Sequence, residues 1–148
     1  MRAVVQRCRQ AAVCVDGASV GRIGTGLAVL LGISTDDTEA DVQYIKEKLI
    51  GLRIFDDENG VPNRSVRDVN GSILLVSQFT LMGDARKGKR PSYIRAARPE
   101  TAIPLYERCI ALLRAEVPVE TGVFGADMQV ELINDGPFTI LLDSKKEF

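Results

Sequence analysis

Two short segments carry residue types that can do chemistry, and both interrupt an apolar run. Ser77-Gln78-Phe79-Thr80 ends the run Ser72-Ile73-Leu74-Leu75-Val76 with three polar residues around one Phe. Asn134-Asp135-Gly136-Pro137-Phe138-Thr139 drops a Gly-Pro pair between Met128–Ile133 and Ile140–Leu142. Proline has no N–H to give a sheet ladder, and glycine permits backbone angles closed to other residues. A strand broken this way exposes backbone carbonyls that can bind a ligand. Ser77 and Thr80 are nucleophiles by side-chain type, and Gln78 offers both a donor and an acceptor. The same hydroxyls would equally satisfy a strand end, and the Gly-Pro pair would equally make an edge bulge.

The chain contains no histidine. That excludes Ser-His-Asp and Cys-His mechanisms and a His-ligated zinc site. Any hydrolysis must find its base elsewhere, and for Ser77 or Thr80 as nucleophile Lys89 or a carboxylate is a candidate.

A third constellation is basic. Arg86, Lys87, Lys89, Arg90, Arg95 and Arg98 fall within thirteen residues that contain no acid. In a chain of net charge -1 this is a candidate phosphate contact, although a charge run is also a common solvated face. Tyr93 lies inside the cluster, where it could stack on a base or pack into the core. Gly83-Asp84-Ala85-Arg86-Lys87-Gly88-Lys89 matches seven positions of a phosphate-binding loop. The eighth, Arg90, stands where Ser or Thr would ligate magnesium. Gly21, Gly24 and Gly26 fail the dinucleotide fingerprint, because Val29 occupies the third glycine's place.

With 148 residues, 45% of them hydrophobic and 26% charged, the chain is expected to form one domain over residues 1–148. Cys8, Cys14 and Cys109 are odd in number and form no CxxC, so they read as reduced thiols of a cytoplasmic protein. Asn63-Arg64-Ser65 fits a glycosylation sequon, but nothing else points to secretion. Met1-Arg2 leads straight into a strand pattern, and no apolar run approaches the roughly 20 residues of a membrane span.

The elements that must position these segments follow from periodicity. Ala3 to Cys8 and Ala12 to Val15 read as two strands, with Asp16-Gly17 turning into Ser19–Ile23. Leu27–Ile33 reads as a central strand. Thr35, Asp36 and Asp37 are expected to cap a helix whose apolar face is Val42, Ile45, Leu49 and Leu52. Ile54-Phe55 leads to a turn at Asp56–Gly60, and Asn70-Gly71 turns into a strand Ser72–Phe79. A second helix starts near Pro99 and buries Ala102, Leu105, Cys109, Leu112 and Leu113, with Pro104 close enough to its start to be tolerated. Val130, Leu132, Ile140 and Leu142 close the chain as strands. The expected fold is α/β: mixed, mainly antiparallel sheets of barrel or roll form, with two main helices packed on one side.

Taken together, the segments resemble the D-aminoacyl-tRNA deacylase family of the bacterial and general eukaryotic type. The resemblance runs over nearly the whole chain. It is carried by Met1-Arg2-Ala3-Val4-Val5-Gln6-Arg7, Ser77-Gln78-Phe79-Thr80-Leu81, Arg90-Pro91-Ser92, Gly122-Val123-Phe124-Gly125-Ala126-Asp127-Met128 and Asn134-Asp135-Gly136-Pro137. A sister deacylase of animals differs around the Gln, and Ser-Gln-Phe-Thr favours the chiral proofreader. Phe138 departs from the family's usual Val.

The resemblance implies a homodimer with its active site at the subunit interface, acting on aminoacylated tRNA without cofactor or metal. A cis Gly136-Pro137 bond would enter the partner's pocket, its carbonyls holding the substrate's α-amino group. An L-residue would drive its side chain into this pair. Glycine has none to reject, so mischarged glycyl-tRNA is an expected second substrate. Positioning and backbone donors near Phe79 and Thr80, with the ribose 2′-hydroxyl, would serve the ester chemistry. Gln78 would fix the terminal ribose, Ala102 would leave room for the adenine, and Met128 would join the substrate pocket. Arg86, Lys87, Lys89 and Arg90 would hold the tRNA backbone. The expected role is chiral proofreading in translation quality control. The competing readings are a non-catalytic RNA-binding module and a P-loop-like nucleotide hydrolase.

Overall fold

A computed structural model describes the whole chain, Met1 to Phe148. One long strand organises it. The strand β1 (Arg2–Val15) pairs antiparallel with β3 (Gly26–Gly32) through its first half and with β2 (Ala18–Ile23) through its second. Along its other edge it carries the C-terminal strand, β8 (Gln129–Asp143). The expected division of β1 into two strands is therefore corrected. The polar pair Arg9-Gln10 lies at a register shift, where a bulge bends the strand without ending it. Asp16 and Gly17 have φ of 50° and 78°, the positive angles of a tight two-residue hairpin.

The strand β6 (Ser72–Ser77) pairs parallel with β3, and β7 (Val119–Thr121) pairs parallel with β6. The sheet order is β2-β1-β3-β6-β7, with β8 joined to β1. It curls into a nearly closed barrel: a Cβ on Gly21 of β2 would stand 2.6 Å from the Thr121 carbonyl oxygen of β7. A short hairpin, β4 (Phe55–Asp56) with β5 (Pro62–Arg64), lies apart.

Both faces of β6 are buried, which is why it reads as an unbroken apolar run. Ile73 and Leu75 face the two helices, α1 (Glu39–Gly51) and α2 (Pro99–Arg114), while Leu74 and Val76 face the inside of the curl. The helices cover one side, as expected. Helix α2 buries Ala102, Tyr106, Cys109 and Leu113, while Leu105 and Leu112 are half-buried. The expected strand end at Phe79 is corrected: β6 stops at Ser77, and the chain tightens into a 3-10 turn at Phe79–Met82. The α/β class, the mixed barrel-like sheet and the paired helices match the expectation. The described fold includes no helix long and apolar enough to cross a membrane.

The cap of α1 is not formed by Thr35, Asp36 or Asp37. The N-cap is Thr38, and its N–H donates to the Asp41 carboxylate at 2.8 Å in a capping box. Asp41 also accepts from Ser144 Oγ at 2.7 Å and Lys145 Nζ at 3.0 Å, which ties α1 to the end of β8. Burial works against the charged form of Asp41. The hydrogen bonds from Ser144, Lys145 and Thr38 outweigh it and hold the carboxyl well below the usual carboxylate range. A depressed folded-state pKa adds stability that is full above the unfolded value of about 4 and drains as pH falls below it. Asp41→Asn should therefore lower Tm at pH 7. The gap to the wild type should narrow progressively in melts below about pH 4; a gap independent of pH would show that this carboxylate does not couple to folding.

Candidate active site

The end of β6 opens a cleft of about 290 Å³. Ser77, Gln78 and Phe79 form one wall, Ala102 from the first turns of α2 a second, and Phe124, Asp127 and Met128 from the connection before β8 a third. Five residues singled out from sequence thus meet at one site: Ser77, Gln78, Phe79, Ala102 and Met128. Ten of the fourteen lining residues are hydrophobic. A second lobe of about 220 Å³ shares Val76, Gln78 and Val130 with the cleft and is lined mainly by apolar side chains of β3, β6 and β8.

Thr80 does not line the cleft. It lies exposed in the 3-10 turn, and its hydroxyl accepts a short hydrogen bond from Gln78 Nε2. The amides of Phe79 and Thr80 open that turn and so have no acceptor within it. The turn rests on the central strand at Gly32. A Cβ there would lie 2.8 Å from Leu81 Cβ and 3.0 Å from the Gln78 carbonyl oxygen. From β1, where Arg2 is the cross-strand partner of Gly32, Arg2 Nη1 donates to the Leu81 carbonyl at 3.1 Å. The turn is therefore seated on a residue with no side chain and tied down by the guanidinium of its cross-strand neighbour.

Under the cleft, the Tyr106 hydroxyl donates to the Leu75 carbonyl at 2.8 Å, and burial raises its pKa. Its ring tilts against Phe124, with centroids 5.8 Å apart, and so supports the third wall. Phe124 and Asp127 were not singled out as site residues. The segment Gly122–Met128 has neither helical nor strand periodicity, so nothing in it marks which side chains point inward. A signal lay in Gly125, which adopts φ 77°.

Gly136 and Pro137 do not line this cleft. They lie exposed in β8, joined by a cis peptide bond. The register of β8 against β1 passes from Cys8↔Asn134 to Gln6↔Thr139, so Asp135–Phe138 bulge out opposite the single residue Arg7. Arg7 is buried, and its Nε donates to the Asp135 carbonyl at 2.8 Å. Its Nη1 donates to the Ile54 carbonyl at 2.7 Å and to Asp56 at 3.2 Å. The Phe138 N–H donates to Asn134 Oδ1 at 2.7 Å. The Phe138 ring lies 5.0 Å from the Arg7 guanidinium and packs against the helix-side core. Phe138 therefore faces the protein's own core and Arg7.

The basic loop is exposed, but its cations are not alike. Arg86 is tied to Asp84 by two side-chain bonds, and Arg95 is held by Glu147 at 2.9 and 2.8 Å. Lys87, Lys89, Arg90 and Arg98 have no carboxylate partner. The loop does not make a phosphate cradle. Asp84 and Ser92 close it with paired backbone bonds of 2.8 and 2.9 Å, and no helix follows until Pro99. A phosphate-binding loop needs a helix N-terminus directly behind it.

A family profile described as D-Tyr-tRNA(Tyr) deacylase matches residues 4–143. The chain is 58% identical over 149 residues to the D-aminoacyl-tRNA deacylase of Desulfitobacterium hafniense strain DSM 10664 / DCB-2, each covered in full. It is 60% identical to the one from Koribacter versatilis strain Ellin345, again with complete coverage of both. Among solved structures, the c-Myc DNA Unwinding Element Binding Protein superposes with a TM-score of 0.92 at 42% identity, over 97% of this chain and 98% of that one.

The seating of the 3-10 turn gives a test. Gly32→Ala should push the Phe79–Met82 turn outward, because one contact is a backbone oxygen that cannot rotate away. Steady-state kinetics should show kcat falling about tenfold, roughly 1.4 kcal/mol of barrier, in a protein that still melts cooperatively. Wild-type kcat would show that the turn tolerates the shift.

Proposed function

This chain belongs to the D-Tyr-tRNA(Tyr) deacylase family, and we infer that it hydrolyses the ester of D-aminoacyl-tRNA, releasing the D-amino acid and free tRNA. The observation that carries the reading is a division of labour. The cleft with its amide-bearing turn lies at the end of β6, while the Gly136-Pro137 pair is displayed on a bulge that this cleft does not include.

A second copy of the chain supplies the missing wall. Strand β8 pairs only with β1, and Ile133 and Leu141 on it are 51% and 58% exposed. A long strand with a free edge and exposed apolar side chains favours self-association. In the homodimer, Gly136 and Pro137 of one protomer close the cleft of its partner, and their carbonyls receive the α-ammonium of the substrate. A D-residue then directs its side chain away, whereas an L-residue drives it into the Gly-Pro backbone, so selection works by rejection. Glycyl-tRNA passes the same filter.

In the reaction, water attacks the ester carbonyl carbon and the bond to the ribose oxygen breaks, with the proton ending on that oxygen. The Phe79 and Thr80 amides stabilise the developing oxyanion, and the adjacent ribose 2′-hydroxyl assists. Thr80 and Gln78 act by positioning, Gln78 toward the ribose with the group not bonded to Thr80. Ser77 completes that wall. Ala102 leaves space for the adenine, and Met128 bounds the pocket opposite. Lys87, Lys89 and Arg90 meet the tRNA backbone, with Arg86 held ready by Asp84. The site of action is the cytoplasm, where charged tRNA is used. The protein belongs there to translation quality control.

The assay is release of labelled D-Tyr and L-Tyr from charged tRNA. D-Tyr should be released and L-Tyr spared; equal rates, or no D-Tyr release, would overturn the reading. Gly136→Ala places a Cβ 3.0 Å from the Phe138 amide nitrogen at φ 141°, where side chains are strained. It should lower D-release by about tenfold or more without creating L-release. Thr80→Ala should keep measurable turnover; complete loss in a folded dimer would make Thr80 the nucleophile.

A further inference from the structure

We propose that Tyr93 and Ile94 form a stacking platform for the unpaired nucleotide that precedes the esterified terminal adenosine of the substrate tRNA. The proposal rests on the deacylase reading and adds a second nucleotide subsite to it. The Phe79 ring, which lines the cleft, meets the Tyr93 ring at a centroid distance of 5.2 Å and an interplanar angle of 70°. The aromatic surface therefore continues from the cleft to the outside. Phe79 is 57% exposed, Tyr93 39% and Ile94 86%. Ile94 stands at the corner of a turn closed by the Ala96 N–H on the Tyr93 carbonyl at 2.9 Å. Turn corners ordinarily carry small or polar residues, so a large apolar side chain there is itself a signal.

The platform is held in place from several sides. The paired Asp84–Ser92 backbone bonds close the loop behind it, and the Thr35 N–H donates to the Arg95 carbonyl at 3.0 Å. The Ala97 N–H donates to the Ile33 carbonyl at 2.9 Å. The Tyr93 ring lies flush on Gly83, where a Cβ would stand 3.0 Å from a ring carbon.

Charge selects the occupant. Flanking this apolar patch in sequence stand Arg90 and Arg98, with Lys87 and Lys89 in the same loop, none of them neutralised by a carboxylate. Apolar faces beside unpaired cations match single-stranded RNA, whose bases stack while its phosphates need counter-charge. A second copy of this chain would bring like charges together across a two-fold contact.

Two substrates separate this subsite from the cleft: D-tyrosyl-tRNA, and 3′-O-D-tyrosyl-adenosine, which has no preceding nucleotide. The readout is the ratio of kcat/KM on the two. Ile94→Ser, and Tyr93→Leu, which keeps an apolar contact with Phe79, should each lower that ratio about tenfold, within the range of one lost base stack. Tyr93→Phe should restore it. Equal losses on both substrates would overturn the proposal, because the two residues would then only prop Phe79. An unchanged ratio would overturn it as well. A change in sedimentation mass would assign the patch to a protein contact instead. A wild-type protein that cleaves neither substrate would refute the deacylase reading itself, an outcome distinct from all of these.

Discussion

One buried guanidinium decides how the C-terminal strand can be interrupted. Four residues of β8, Asp135–Phe138, bulge opposite the single position Arg7. A ladder broken for that length would ordinarily leave polar backbone without partners. Arg7 fills the gap: it takes the Asp135 carbonyl, reaches across to the Ile54 carbonyl and Asp56, and stacks on Phe138. A charge so little exposed is tolerated only when it is paired and hydrogen-bonded, and three separate bonds, one of them to the Asp56 carboxylate, do this for Arg7. The bulge is thus a rigid projection that can present two backbone carbonyls in a fixed direction. Phe138 belongs to that support. Its larger ring gives the guanidinium a face to lie on, within the distance at which such contacts attract.

The cleft depends on a complementary interruption. Strand β6 is buried on both faces up to Val76, and then the chain turns away from the sheet at Gln78. Close approach of that turn to β3 is possible only because Gly32 has no side chain. Here the sheet gives up regular pairing at the cleft, where the first amides of the turn have no acceptor within it, and at β8 it gives it up over an exposed bulge. On the proposed reading the two interruptions serve opposite groups of the substrate, with amide donors in one and carbonyl acceptors in the other. An aminoacyl ester offers the matching pair, an ammonium beside a carbonyl oxygen that becomes negative in the transition state.

Much of this was legible in the sequence, for physical reasons that differ by element. The Asp16-Gly17 hairpin and the α1 face of Val42, Ile45 and Leu49 follow from local chemistry and periodicity, which tertiary context did not override. Arg9-Gln10 looked like a strand boundary because two polar residues break an apolar pattern. In the structure they lie where the strand bends, so the break marks curvature. The α1 cap lies one to three residues beyond the expected Thr35, Asp36 and Asp37, which are all capping types. Thr38 wins because Asp41 can reach back to it. Phe79 looked like the last strand residue, since an aromatic after an apolar run fits a pleat, yet it turns outward. The third wall of the cleft was the least legible, because loop residues such as Phe124 and Asp127 take their direction from long-range contacts that no spacing encodes.

The missing histidine fits this architecture. A side-chain base is needed when the leaving group is poor or the nucleophile must be generated at the site. An aminoacyl ester is already activated, so on the proposed reading orientation and oxyanion stabilisation would carry the larger share of the barrier reduction. Backbone groups suit that work well. Their directions are fixed by the chain path, and their charge does not titrate near neutral pH. They also make discrimination between mirror images steeper than a flexible side chain would. On that reading, a Gly136-Pro137 carbonyl pair anchored through Arg7 would not swing aside to admit an L-side chain without breaking the Asp135 bond and uncovering the buried guanidinium. Rejection of an L-residue would then draw on the stability of the fold as well as on local contact, and a site made mostly of main chain would be selective without a charged side chain at its centre.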